Sequence, residues 1–368
     1  MHGTDVMRSP ALAEADRLMT ICNGCRYCEG LCAMFPAMEM RRTFVDADLN
    51  YLANLCHQCG ACFPDCQYSP PHEFAVNVPQ VLARVRNESY AQYAWPGIFA
   101  GAFARNGLFI TLVASASVAA FIAGFVALKD HAALYGRHAG DFYKLMPHNA
   151  MVALFGGVFI YSMAALFMSL RRFWRDINGM ATPVAAVEAT ADAAHLRYLG
   201  GGGGGCTSEN EKPSAVRRIF HHFTFYGFMF CFASTSVATV YHYAFGLKAP
   251  YPLTSLPVVL GIIGGLGLLI GPAGLFLLSR TRNPVLMDAP RKGMDVAFLA
   301  MLFLTSLTGF ALMLLRDTSA MGMLLAIHLG VVLGLFLSLP YGKFVHGLYR
   351  YLALVKYNRE RKTATYVE

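Results

Sequence analysis

From about residue 107 onward, apolar residues run along the chain in long blocks that short polar connections separate. Six blocks are long enough to cross a bilayer core of roughly 30 Å as α-helices. Pro257 and Pro272 fall in the fourth block and predict a kink or a late start there. The six predicted spans cover about 107–128, 149–170, 219–246, 256–279, 294–315 and 321–345.

The first 95 residues follow a different pattern, in which short amphipathic stretches alternate with polar turns. Residues 46–55 place acidic side chains ahead of apolar ones at helical spacing, and residues 74–93 form a second such stretch. Residues 1–20 are charged and lack an apolar run, so we expect no signal peptide. The pattern predicts a mainly α protein, with a small ferredoxin-like helical domain at 1–95 and a membrane domain at 96–368.

Composition supports a membrane protein, and the distribution of charge predicts its orientation in the membrane. Hydrophobic residues make up 56% of the chain and charged residues only 14%, as membrane spans require. The formal charge of +8 comes from the membrane part, which argues against a nucleic-acid partner. Positively charged loops stay in the cytoplasm, so both chain ends are expected there, in a bacterial inner membrane. The counts are seventeen Lys and Arg in 171–218, 280–293 and the tail from Lys343, against five in 129–148, 247–255 and 316–320.

Eight of the ten cysteines form two tetrads with the spacing C-x2-C-x2-C-x3-C, one in 22–32 and one in 56–66. Three cysteines two residues apart can hold one four-iron cube, and in two-cluster ferredoxins the fourth ligates the other cube. The spacing therefore predicts two [4Fe–4S] clusters with crossed ligands. The expected sets are Cys22, Cys25, Cys28 and Cys66, and Cys56, Cys59, Cys62 and Cys32.

A pair of zinc sites and a disulfide framework are the alternatives. Zinc knuckles usually present two cysteines per arm rather than four in eleven residues, and cytosolic thiols stay reduced. Ala33 and Gln67 stand where many ferredoxins have the proline of Cys-Pro, so a plain soluble ferredoxin is less expected. His57, between two cysteines, is expected to tune or shield a cluster rather than to bind iron.

Histidines within the predicted spans are candidates for function, because ionisable residues are rare in a bilayer. His328 and His346 are eighteen residues apart, about five turns of a straight helix, so they would share one face. By the same arithmetic His221, not His222, shares a face with His242. Facing histidines on two antiparallel helices hold b-type haem, which predicts His221 with His346 for an inner iron and His242 with His328 for an outer one.

Roles other than binding iron also remain open for some of these histidines. His222 lies at the membrane boundary and is either an interfacial residue or a substitute for His221. His148 is expected at the outer interface, and is an alternate ligand for the outer iron. A transporter is the other interpretation of six spans, but no Asp, Glu, Lys or Arg lies in the middle of a span to relay ions.

The longest connection, 171–218, contains a run of six glycines followed by Cys206. A flexible linker is the usual interpretation, and close backbone contact with a partner or a cofactor is the alternative. Cys206 is a weak candidate for a redox thiol, and Cys231 is expected to pack as a small apolar residue inside a span.

Together the tetrads, the glycine run with Cys206, and three stretches around the histidines resemble the tricarballylate utilisation protein B (TcuB/CitB) family over nearly the whole chain. The stretches are 221–227, 236–243 and 339–347. The resemblance implies a membrane iron–sulfur and b-haem protein, related to the membrane module of the CobZ proteins. The paired histidines also resemble, in arrangement only, the haem subunit of respiratory nitrate reductases.

By this resemblance the protein would reoxidise the reduced FAD of a partner tricarballylate dehydrogenase and pass electrons through two [4Fe–4S] clusters and one or two b-type haems to membrane quinone. It would be an electron-transfer subunit rather than the substrate dehydrogenase, with no catalytic residue of its own. The alternatives are the same role for another flavoprotein, of a different tricarboxylate or the cobalamin pathway, and a cluster-binding membrane sensor. The sequence leaves haem number, quinone site and oligomeric state open.

Overall fold

The computed structural model describes residues 8–129, 131–207 and 212–363, and it is mainly helical. The cysteine-rich part contains α1 (Pro10–Cys25), α2 (Met34–Glu39), α3 (Asp46–Leu55) and α4 (Val78–Tyr93). The hydroxyl of Ser9 caps the start of α1 by accepting from the Leu12 backbone amide at 3.2 Å. At the other end Arg26 adopts a left-handed conformation, and this ends the helix within the first tetrad.

Six long apolar helices follow, and by length and composition each could cross a membrane. Each overlaps one predicted span, so six candidate membrane-spanning helices are confirmed. Their bounds are α5 (Asn106–Lys129), α7 (His148–Asp176), α9 (Val216–Phe245), α10 (Leu256–Thr281), α11 (Lys292–Leu315) and α12 (Met321–Ser338), while α6 (Ala132–Tyr135) is a single turn in the connection before α7. Both chain ends, on which the predicted orientation bears, lie outside the described residues.

The last predicted span is wrong at its inner end. Instead of continuing to residue 345, α12 ends at Ser338, and a 3₁₀ turn at Leu339–Tyr341 follows it. Pro340 lacks an amide hydrogen and Gly342 is extended, so the helix cannot continue. His346 lies on a separate helix, α13 (Val345–Thr363), and it therefore cannot share a helix face with His328 as the arithmetic assumed.

The closest helix pair in the membrane part is α9 with α10. A β-carbon on Gly227 would lie 2.9 Å from the Gly264 carbonyl oxygen, and one on Gly264 would lie 2.6 Å from the Cys231 amide nitrogen. Only glycine permits this approach of the two backbones, as in other membrane helix pairs with small residues at their interface. The contact fixes the position of α9, which carries four of the candidate histidine and arginine side chains described below.

Helix α13 packs into the cysteine-rich part rather than standing apart from it. Tyr349 is buried, with its ring centre 5.6 Å from that of Tyr90 on α4 and 4.9 Å from that of Phe173 on α7. Arg41 makes two hydrogen bonds of 3.0 and 3.1 Å to the Glu360 carboxylate. One hydrophobic core thus runs from residues 11–103 into α13.

The long connection 171–218 is structured over its described residues. It contains α8 (Pro183–Ala194), which packs on α13, and an antiparallel pair formed by β1 (Cys206–Thr207) and β2 (Pro213–Ser214). Buried Asp192 accepts a hydrogen bond from the Asn358 side chain at 2.9 Å. The flexible-linker interpretation is wrong, because the glycine run lies between two structured elements, α8 and β1.

Candidate cofactor sites

Four cysteines from both tetrads line a first cavity of about 380 Å³, counting its open mouth. The C-terminal end of α1 supplies Cys22 and Cys25, the turn after it supplies Cys28, and Cys66 arrives from the second tetrad. Arg26 and Tyr27, which also line this cavity, are exposed. The first set of thiols therefore lies next to solvent.

The remaining four cysteines line a second cavity of about 340 Å³, counted in the same way. Cys32 comes from the first tetrad, and Cys56, Cys59 and Cys62 come from the loop that follows α3. Cys56 and Cys59 are buried, as is His57, whose ring nitrogen bonds the Leu55 carbonyl at 2.9 Å. The fold thus brings the cysteines into the two crossed sets that the spacing predicts.

The thiols in each set surround a space rather than a point. Among the described residues, no three His, Cys, Asp or Glu side chains converge as a single metal ion requires. Burial and the nearby thiolates of Cys66, Cys28 and Cys25 raise the pKa of Cys22 to about 12. Four thiolates so confined repel one another, and bound iron would relieve the repulsion. The arrangement fits a four-iron cube, which is larger than one ion.

The glycine run of the long connection packs against the loop of the second tetrad. Gly201 has a φ of +51°, and a β-carbon there would lie 2.9 Å from that of Ala61 and 3.8 Å from the Cys59 sulfur. The Thr207 amide donates to the Cys59 carbonyl at 3.0 Å. Cys206 is buried beside Cys59, and its thiol donates to the Leu199 carbonyl at 3.1 Å. The glycine run therefore makes a close backbone contact with the loop of the second tetrad, and a contact with a partner or a cofactor stays a prediction.

Four arginines converge on the backbone of that same loop, and sequence reasoning missed them. The Gln58 carbonyl accepts from Arg217 at 2.7 Å and from Arg282 at 2.6 Å. The Cys56 carbonyl accepts from Arg86 at 2.8 Å and from Arg350 at 2.9 Å. We call this group the guanidinium cluster, and its members are Arg86, Arg217, Arg282 and Arg350.

The four arginines of the guanidinium cluster bond backbone carbonyls, and none of them forms an ion pair with a carboxylate among the described residues. Arg86 is 2% exposed, and Asp295, a carboxylate close to the cluster, is paired with Lys343 at 2.8 Å. Burial and the charge of Arg217 lower the pKa of Arg282 to about 9, and burial and Arg86 lower that of Arg350 to about 10. A guanidinium keeps its proton in proteins, so the excess charge calls for an anion nearby.

On the membrane side of this cluster, His221 faces His346. Their ring centres are 6.5 Å apart and the rings are tilted by 56°. Two imidazoles that bind one iron from opposite sides, with bonds of about 2 Å, hold their ring centres roughly 6 Å apart. The pair therefore fits an iron between the rings. His222 does not join it, but stacks on Tyr226 at 5.8 Å.

The outer histidines are arranged differently from the expected pair. His242 stacks on His148 with ring centres 3.8 Å apart, which leaves no room for an iron between them. His328 bonds the Thr308 hydroxyl at 3.0 Å. Within the described part of the chain no ring contact joins His242 to His328, so the expected pairing is not assembled. The alternate, His148, takes that contact because α7 begins beside the end of α9.

Two spacings could have revealed the arginines. Arg217 precedes His221 by four residues on α9, and Arg350 follows His346 by four on α13, so each histidine has an arginine one turn toward the second tetrad. The hydrophobic periodicity of the sequence identifies such arginines only as charged residues at the membrane boundary. Their common target, a loop more than 150 residues away in sequence, exists only in the folded chain.

Comparison with known proteins identifies the family. Residues 102–366 match the model described as citrate utilization protein B, and residues 15–92 match its Fer4-like domain. The chain belongs to the citrate utilization protein B family. It is 51% identical over 352 residues to the Escherichia coli protein of that name, covering 95% of this chain and 93% of the relative. No solved structure matches.

Family membership confirms the broad resemblance drawn from the motifs. A Fer4-like domain and six apolar helices together indicate a membrane iron–sulfur protein. The tricarballylate-specific name and the relation to the CobZ module are not tested by these matches and stay predictions.

Proposed function

We propose that this protein is a membrane electron-transfer subunit. It takes electrons from the reduced flavin of a partner dehydrogenase, and two [4Fe–4S] clusters and an inner b-type haem conduct them toward membrane quinone. The clusters and haem supply the one-electron chemistry, and the protein sets their spacing and surroundings. The two cysteine sets would hold the clusters, and His221 and His346 would hold the haem.

One observation carries the proposal: the loop of the second tetrad and the His221–His346 pair are joined by the same two side chains. Arg217 bonds the Gln58 carbonyl and lies one turn from His221, while Arg350 bonds the Cys56 carbonyl and lies one turn from His346. A cluster binder without electron transfer would have no reason to hold its cluster loop against a histidine pair at the membrane.

The order of the sites supports a direction of transfer. The exposed Arg26 and Tyr27 border the first cavity, where a flavoprotein could approach. Cys62 of the second set lies near enough to Cys28 of the first for their thiolates to repel, so the two cavities are neighbours. The second, more buried cavity is the one beside the histidine pair. Electrons would thus enter at the first set and leave through the second.

The proposal for the partner's substrate rests on sequence similarity alone. The Escherichia coli relative is named for citrate utilization, and the motifs resemble the tricarballylate system. We propose a dehydrogenase of a tricarboxylate as the partner, with tricarballylate dehydrogenase as the specific expectation. Another flavoprotein, including one of the cobalamin pathway, remains the alternative. A second haem on the outer side stays a prediction without an assembled ligand pair.

Anaerobic purification followed by measurement of iron, sulfide and haem per polypeptide tests the cofactors. Mixing the protein with its reduced flavoprotein should reduce the haem rapidly, and a quinone analogue should then reoxidise it. A sensor or assembly factor would contain clusters yet show no haem turnover. Absence of haem, or haem that the reduced partner cannot reduce, would overturn the proposal.

A further inference from the structure

The guanidinium cluster has unused hydrogen-bond donors. Arg282 and Arg350 each donate a hydrogen bond from a terminal nitrogen to a carbonyl. Their Nε atoms are buried without a partner among the described residues. An unpaired buried donor is unfavourable, and more so when the group is charged. Two such donors in one cluster indicate a missing acceptor of negative charge.

The missing acceptor would lie beside the histidine pair. Arg350 lies one helical turn beyond His346 on α13, and Arg217 lies one turn before His221 on α9. Lys343 is already paired with Asp295. The free Nε of Arg350, one turn from His346, thus lies close to any group that the two imidazoles hold.

A b-type haem is apolar except for two carboxylates on one edge. That edge needs charged hydrogen-bond donors, and guanidinium groups bind carboxylates in fork geometry. The cytoplasmic side of the His221–His346 pair offers them, whereas the side toward the bilayer core consists of apolar helix surface. Carboxylates placed here would also offset the excess positive charge of the cluster.

We propose that the guanidinium cluster binds the carboxylates of the haem that His221 and His346 hold, with Arg350 as the main donor. This inference rests on the proposed function and adds to it. The same arginines then hold the loop of the second tetrad and the polar edge of the haem. They are positioning residues, and they fix which edge of the haem faces the second cysteine set.

Haem b and its dimethyl ester, which has no free carboxylate, distinguish binding of haem by the protein from binding of the haem carboxylates by the guanidinium cluster. The full chain is produced without haem, kept in detergent under anaerobic conditions, and titrated with each compound while the low-spin absorption is recorded. We expect haem b to bind at least about tenfold more tightly than the ester. In Arg350→Gln this ratio should fall toward one, whereas Arg350→Lys should keep part of it.

Arg218→Gln is the matched control, because Arg218 adjoins Arg217 on α9 but does not belong to the guanidinium cluster. It should retain the wild-type ratio, and iron and sulfide contents should confirm that each variant folds. Equal binding of haem b and ester by the wild type, with a low-spin spectrum, would overturn this inference and leave the proposed function standing. Equal binding combined with a citrate-dependent stabilisation that needs Arg350 would assign the cluster to a free acid instead. Failure to bind either compound would contradict the proposed function itself.

Discussion

The guanidinium of Arg350 donates a hydrogen bond to the Cys56 carbonyl at 2.9 Å, across 294 positions of sequence. Arg350 lies one turn beyond His346, and Cys56 begins the second tetrad. A single side chain therefore spans from the helix of a candidate haem ligand to the loop of a candidate cluster ligand. The relative position of the two sites is fixed by this contact and by the parallel one from Arg217 to Gln58.

The crossed cysteine sets make the two clusters interdependent. Replacing Cys66 with Ser should perturb the cluster held by Cys22, Cys25 and Cys28, because these four side chains line the first cavity together. EPR spectra of the reduced protein, with iron and sulfide counts, measure the change. Cys231→Ser is the control, since Cys231 lies in a membrane helix away from both cavities. If only the signal of the cluster held by Cys56 and its neighbours changed, the crossed assignment would be wrong.

The histidine pair predicts unequal effects of two adjacent substitutions on α9. His221→Ala and His346→Ala should each abolish the low-spin signal of the inner haem, because a six-coordinate iron loses one of its two imidazoles. His222→Ala should preserve the signal, since His222 stacks on Tyr226 instead. Spectra after dithionite reduction report the result. A variant of His222 that loses the signal, alongside a normal His221 variant, would exchange the two assignments.

The glycine run should tolerate an added methyl group at one position and not at another. Gly201→Ala forces a left-handed residue against Ala61 and should destabilise the second site by about 1–3 kcal/mol. Gly204→Ala is the matched control, because Gly204 has a φ of −72° and its β-carbon would make only an ordinary contact with Pro213 at 3.5 Å. Cluster loss on mild heating measures the difference. Equal effects of both substitutions would contradict a close contact at Gly201.

The C-terminal helix should stabilise the cysteine-rich part through Glu360. Its carboxylate accepts two hydrogen bonds from Arg41 and pairs with Lys356 at 2.8 Å, and both cations lie over the ring of buried Tyr51. Glu360→Gln should lower stability by about 1 kcal/mol, because the charges are partly screened by solvent. Thermal unfolding monitored by cluster absorbance measures it. Glu14→Gln, which affects an exposed pair with Arg17, should change stability less.

The distribution of basic residues predicts the orientation. A reporter active only outside the cytoplasm should be silent when fused after the last residue and active when inserted near Tyr135, in the connection between α5 and α7. The opposite result would place both cysteine sets outside the cytoplasm. It would also separate them from a cytoplasmic flavoprotein and so contradict the proposed electron path.

The sequence by itself determined the features that depend on local spacing. Apolar blocks located six helices, because a span of lipid sets a minimum length that few other structures need. The spacing of the tetrads assigned eight cysteines to two sets. Three cysteines two residues apart can surround one cluster, whereas the fourth cysteine of the tetrad cannot reach that cluster. The arithmetic of helix turns placed His221 rather than His222 toward α13, because α9 is one uninterrupted helix.

Tertiary structure alone decided what depends on breaks and on distant contacts. Pro340 and Gly342 interrupt the last span, so His346 belongs to a second helix and the pairing of His242 with His328 is not assembled. The glycine run folds against Cys59, and four arginines from four separate segments meet at Cys56 and Gln58. Periodicity records the phase of a residue within its own helix. It cannot record which remote carbonyl completes the hydrogen bonds of a buried charge, because packing of the whole chain selects that partner.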